Sequence, residues 1–162
     1  MQPPATDRQA RIPKLSRFGW LMALYAENHA RLMRLFAPDH LTAGTYLSSV
    51  GDGLDVRLEV IETHRYTVEL RLTYDLRDPL TGEPDPSAFV RLYRDAHQAE
   101  ATHCYVGRRW QDVIGLYPPP AEVISHRMRM NTFLGKWLEY LAEQGHGVAT
   151  LKAVENAALD AA

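Results

Sequence analysis

The sequence predicts an α+β fold: a four- or five-stranded antiparallel meander sheet packed on one face by N-terminal and C-terminal amphipathic helices. Three observations carry this. Residues 54–74 hold two runs of apolar–polar alternation separated by a short polar break, the mark of half-buried strands in one antiparallel sheet. Two segments near the ends of the chain hold apolar residues at helical spacing. A sheet with one apolar face and helices with one apolar stripe each need a cover, and each supplies the other's.

Residues 1–14 are polar and contain Pro and Gln, so they read as a mobile tail. Ser16 is a suitable N-cap for a helix starting at Arg17. Phe18, Leu21, Tyr25, Asn28, Leu32 and Leu35 then recur every three or four residues, and Pro38 stops the helix. One member of this stripe, Asn28, is polar. Residues 45–50 have modest strand character, and Gly51-Asp52-Gly53 marks a turn.

Leu54, Val56, Leu58 and Val60 alternate with Asp55, Arg57 and Glu59; Tyr66, Val68, Leu70, Leu72 and Tyr74 alternate with Thr67, Glu69, Arg71 and Thr73. For both apolar sets to share a face, paired residue numbers must sum to an even number. A sum of 126 pairs Val60 with Tyr66, Leu58 with Val68, Arg57 with Glu69 and Asp55 with Arg71. A sum of 128 sets Glu59 against Glu69 and Arg57 against Arg71. Opposite charges across a pair stabilise and like charges cost, so the first register is expected, with a loop at Glu62-Thr63-His64 and a positive φ at His64. Residues 78–86, rich in Pro and Gly, read as a loop, and strands follow near 89–95 and 99–106 with a bend at Asp95 to Gln98. The prolines at 118–120 favour an extended crossing. A second helix is expected from about His126 to Gln144, ending at Gly145, with a stripe of Asn131, Leu134, Leu138 and Leu141. One domain over 15–146 results, with 147–162 an Ala-rich tail or short helix.

Composition limits the function. At 162 residues the chain is long enough for a core without covalent staples. Its one cysteine, Cys104, excludes an internal disulfide, and no apolar run is long enough to span a membrane, so a cytoplasmic setting is expected. Residues 37–105 carry twice as many acidic as basic side chains, which argues against a broad nucleic-acid surface there. Residues 1–36 are basic, with Arg8, Arg11, Lys14, Arg17, Arg31 and Arg34, and leave a nucleic-acid reading for the first helix as an alternative.

Four motifs in order carry a family resemblance: N-x-x-R-L at Asn28 to Leu32, E-T-x-R-Y-T at Glu62 to Thr67, V-R-L-Y-x-D-A at Val90 to Ala96 followed by Ala99-Glu100, and N-x-F-L-x-x-W-L at Asn131 to Leu138. The combination resembles the YqiB-like bacterial proteins, domains of unknown function. The resemblance implies a stand-alone cytosolic bacterial protein and no particular activity. It departs at Ser125 to Met130, where relatives tend to carry an acidic-basic run.

Several side chains invite chemistry. His97, Glu100, His103 and Cys104 are of ligand type, but strand alternation sends His97 and Glu100, and Glu100 and His103, to opposite faces, so no metal is expected. Cys104 reads as a small buried hydrophobe rather than a nucleophile. No glycine loop for phosphate and no hydrolase signature is present, so the sequence calls for no cofactor and names no catalytic residue. Arg65, Tyr66, Arg94 and Asp95, with Arg91 and Tyr93 close by, fall at strand ends that a meander brings to one edge of the sheet. There they form either a binding rim or structural ion pairs. Asp95 is expected either to lock to Arg65 or to face a cleft. The leading reading is a binding or regulatory module for a protein or small anionic ligand. The alternative is an enzyme with Asp95 as acid or base and Arg65 and Arg94 as an anion clamp. Asn28 and Asn131 are expected to be buried and hydrogen-bonded to backbone or to each other, since a buried amide left unpaired costs roughly 1–3 kcal/mol.

Overall fold

The computed structural model describes residues 16–51, 53–75, 79–80, 82, 86–105 and 120–154. Helix α1 runs Arg17–Leu35, with the Ser16 hydroxyl accepting the Gly19 N–H at 3.1 Å. It ends where Ala37 takes a left-handed φ of 45°, the usual signature of a helix C-terminus, and Pro38 opens a short 3₁₀ turn to His40. Six strands follow: β1 Gly44–Ser48, β2 Val56–Thr63, β3 Thr67–Tyr74, β4 Ser87–Tyr93, β5 Gln98–Tyr105 and, after helix α2 at Pro120–Glu143, β6 Leu151–Ala153. They form one antiparallel sheet in the order β5-β4-β3-β2-β1-β6.

The alternation in the sequence becomes the two faces of this sheet. Val56, Leu58, Val60, Val68, Leu70, Leu72, Ala88, Val90 and Leu92 are buried in one core with Leu134, Leu138 and Leu141 of α2. Truncating any of these leucines to Ala would cost about 2–5 kcal/mol. The opposite face carries Glu59, Glu69, Arg71, Phe89, Arg91 and Glu100, and ladders of charge cross it: Glu59 faces Arg71 across the β2–β3 pair and Glu69 faces Arg91 across β3–β4. Helix α1 packs against α2 and β5. The helices meet at Gly135, where an added Cβ would lie 2.8 Å from both Arg31 Nη1 and Asn28 Oδ1.

Both stripe asparagines are wholly buried. Asn28 Nδ2 donates to the Asn131 carbonyl at 2.9 Å. Asn131 Oδ1 accepts the Ala101 N–H at 2.7 Å, while its Nδ2 lies 3.4 Å from the Ala101 carbonyl and donates to Arg127 O at 2.9 Å. The Asn131 amide therefore stands in for a neighbouring strand along the outer side of β5, supplying one donor and one acceptor to a backbone that would otherwise be left unpaired in the interior.

Four expectations need correction. The β2–β3 register sums to neither 126 nor 128: Val60 pairs with Leu70, Glu59 with Arg71 and Leu58 with Leu72, and beyond a bulge at Ile61 Glu62 meets Glu69 and Thr63 meets Val68. The even-sum rule holds along the buried stretch, and the bulge absorbs the odd residue where the face is solvated. Like charges do face each other at Glu62 and Glu69, but each has its own partner: His64 Nε2 lies 2.9 Å from Glu62 Oε2, and the Arg91 guanidinium Nε lies 2.5 Å from Glu69 Oε1. The turn falls at His64–Arg65–Tyr66, closed by the His64 N–H donating to Thr67 O at 2.8 Å. The positive φ belongs not to His64 but to His97, at 52° in the four-residue β4–β5 turn. Helix α2 begins at Pro120 rather than near His126, because a proline at the first helical position costs no hydrogen bond. Finally, residues 148–153 form a 3₁₀ turn and the sixth strand instead of a tail or helix. The tail expected at 1–14, and most of the loop expected at 78–86, lie outside the described residues.

Candidate functional site

The meander brings the β2–β3 and β4–β5 turns to one edge of the sheet. The Arg94 N–H donates to Tyr66 O at 2.8 Å and Arg94 Nη1 donates to His64 O at 3.0 Å, so one residue ties the two turns together. Arg94 Nε also lies 2.5 Å from Asp39 Oδ1 in the 3₁₀ turn after α1, which fastens this rim to the helix layer. Arg94 is thus held through its backbone N–H, through Nη1 and by the Asp39 carboxylate beside Nε.

Arg65 and Asp95 behave differently. Both are exposed. The Arg65 guanidinium lies 5.2 Å from the centre of the Tyr66 ring, which is 52% exposed, a cation stacked on an aromatic face in open solvent. Among the described residues Asp95 has no ion pair with Arg65, and it is exposed in the β4–β5 turn. Beside it His97 stacks on His29 of α1, ring centres 5.3 Å apart and planes 14° from parallel. Burial, and then the neighbouring His97, push the His29 pKa below its ordinary value, with Asp39 opposing. The rim is therefore an Arg94 anchor flanked by an exposed Arg65–Tyr66 platform, an exposed Asp95 and a histidine pair.

Residues 31–147 match the model of a family described as protein of unknown function, DUF1249. The chain belongs to this family. The DUF1249 region contains every rim residue named above except His29, and contains Asn131, while Asn28 lies just ahead of it. No curated protein and no solved structure matches the chain.

The other candidate groups of the DUF1249 domain go separate ways. Glu100 accepts the Tyr93 hydroxyl at 2.8 Å and has Arg127 Nη1 at 3.6 Å. His103 meets the edge of Phe89, ring centres 6.2 Å apart. The Cys104 thiol is directed at Met130 O and is pushed up to about 12 by burial, which makes it inert. Among the basic residues of the first helix, Arg31 is held by Glu139 at 2.7 Å and Glu27 at 3.4 Å, and Arg17 donates to Ser125. Arg8, Arg11 and Lys14 lie outside the described residues. No helix among the described residues is long and apolar enough to cross a membrane.

Sequence reasoning missed Asp39 and the His29–His97 stack. Both reach the rim from the α1 layer, and nothing local in Pro38-Asp39-His40 or around His29 signals a partner some sixty residues on. The positive φ at His97 did have a signal, since histidine is among the residues that tolerate it and the turn needs one.

Proposed function

We propose that the protein is a non-enzymatic binding module whose rim, built from the β2–β3 and β4–β5 turns, engages an anionic group, either a small ligand or an acidic segment of a partner protein. The observation that carries this reading is the Arg65–Tyr66 platform: a cation and an aromatic ring held out in solvent on turns that Arg94 makes rigid. Arginine over an aromatic ring presents a flat fork of donors suited to carboxylate or phosphate. Rigid turns reduce the ordering cost of binding. An acid–base role for Asp95 draws no support from an exposed carboxylate whose intended clamp, Arg94, is already engaged. The same reading takes the protein to be a YqiB-like bacterial member of its family acting in the cytosol, on the strength of its four linked motifs and its single thiol.

The test uses Arg65→Ala, Tyr66→Ala and Asp95→Ala beside the parent as bait in the cytosolic extract, together with titration by inorganic phosphate. These side chains are exposed, so each variant should keep its stability within about 0.5 kcal/mol. Capture, or phosphate binding, should be lost with Arg65→Ala and Tyr66→Ala. Unchanged capture and unchanged phosphate response in both would overturn the proposal.

A further inference from the structure

Helix α2 has a second stripe. Met128, Arg129, Thr132, Phe133 and Lys136 line a shallow, open groove along one side of the helix. Its members recur at helical spacing on the side away from the buried stripe of Asn131, Leu134, Leu138 and Leu141. Its one aromatic, Phe133, is backed by the core: it packs on Trp137, ring centres 5.7 Å apart, and Trp137 packs on Tyr74 of β3 at 5.2 Å.

The two ends of the groove are cationic. Arg129 and Lys136 are exposed, and among the described residues neither has an ion pair, whereas Arg31 and Arg127 both have a carboxylate partner. Seven residues apart on one helix, their α-carbons are separated by about 10 Å along the axis at 1.5 Å per residue. The His126 pKa, lowered first by burial and then by Arg129 and Arg127, reports the same positive field.

We infer that this groove is a docking site for an acidic amphipathic helical segment of a partner protein. Two carboxylates two turns apart on such a segment match the Arg129–Lys136 separation, and the apolar side chains between them meet Phe133. Phe133 supplies the apolar contact, and the cations set polarity and register. The site lies on α2 and shares no residue with the rim, so it stands or falls independently of the reading given above.

The probe is a fluorescein-labelled helical peptide with Glu at positions i and i+7 and Leu at i+3 and i+4, titrated with the full chain and followed by anisotropy. Its control carries Lys in place of both Glu residues. The acidic peptide should bind the parent, and Arg129→Glu with Lys136→Glu should weaken it about tenfold or more, because two weak attractions become repulsions. Amide shifts on binding should centre on residues 128–136. No binding of the acidic peptide at low salt, equal binding of the basic control, or equal binding by the double variant each overturns the inference. A dimer of the parent that the double variant abolishes would overturn it too, assigning the groove to a second copy of this chain.

Discussion

The two outer edges of the sheet are managed in different ways. Strand β5, at one edge, runs eight residues, Gln98–Tyr105, and is covered by α1 and α2, with the Asn131 amide bonded to Ala101. Strand β6, at the other edge, has three residues, Leu151–Ala153, with Lys152 in the middle. A long row of unpaired backbone groups invites another chain or must be satisfied from within, whereas a short edge bearing a lysine is a poor template. Among the described residues, the long edge therefore takes a buried side chain, and the short one relies on its length and charge.

The cost of removing each device should differ accordingly. Asn131→Ala strips a donor and an acceptor from buried β5 backbone, so stability should fall by roughly 2–4 kcal/mol, given about 1–3 kcal/mol for each buried group left unpaired. Chemical denaturation would measure this. A loss under about 1 kcal/mol would mean that helix packing, not the amide, closes this edge.

The β6 side should be acid-sensitive. His146 is 6% exposed; its Nδ1 lies 2.7 Å from Ser48 Oγ, which lies 2.6 Å from Thr150 Oγ1, so this histidine ties the end of α2 to β1 and to the turn before β6. Burial depresses its pKa below the ordinary value of 6.5, against weaker opposing effects from the Leu54 backbone and Asp55. The unfolded chain then binds more protons between the two values, so stability falls as pH drops below about 6.5 and levels off beneath the folded value. Denaturation midpoints at pH 7.5 and 5.5 should separate for the parent and lie closer together for His146→Asn, whose amide oxygen can take the place of Nδ1. His29 and His126 are depressed in the same direction and will leave a residual slope in the variant.

The smallest effect concerns Lys152. Replacing it with Val should change monomer stability by less than about 0.5 kcal/mol but raise self-association, visible by sedimentation velocity. A variant that stays monomeric at high concentration would show that strand length alone protects this edge.

Much of the fold was legible because its signals are local. The alternation over 54–74 and the stripe from Phe18 to Leu35 depend only on side-chain periodicity, and they specify β2, β3 and α1 closely. Asn28 and Asn131 stood out as polar residues in apolar stripes, a setting in which an amide must find a partner. Strand β6 gave no such signal, because three residues are too few to alternate and Ala-rich sequence reads as helix. At the rim, the shared position of Tyr66 and Arg94 followed from meander topology, but the partner of Arg94 did not.

Periodicity alone determined that β2, β3 and α1 form, which face of each is buried along its length, and that two asparagines are buried. Tertiary structure decided the rest. The β2–β3 register moved because a bulge at Ile61 lets the buried faces match while the turn closes two residues later. Arg94 found Asp39 because the helix layer crosses that corner of the sheet. Whether Arg65 is paired or free depends on which carboxylates the fold brings within reach, and a one-dimensional pattern holds no record of that distance.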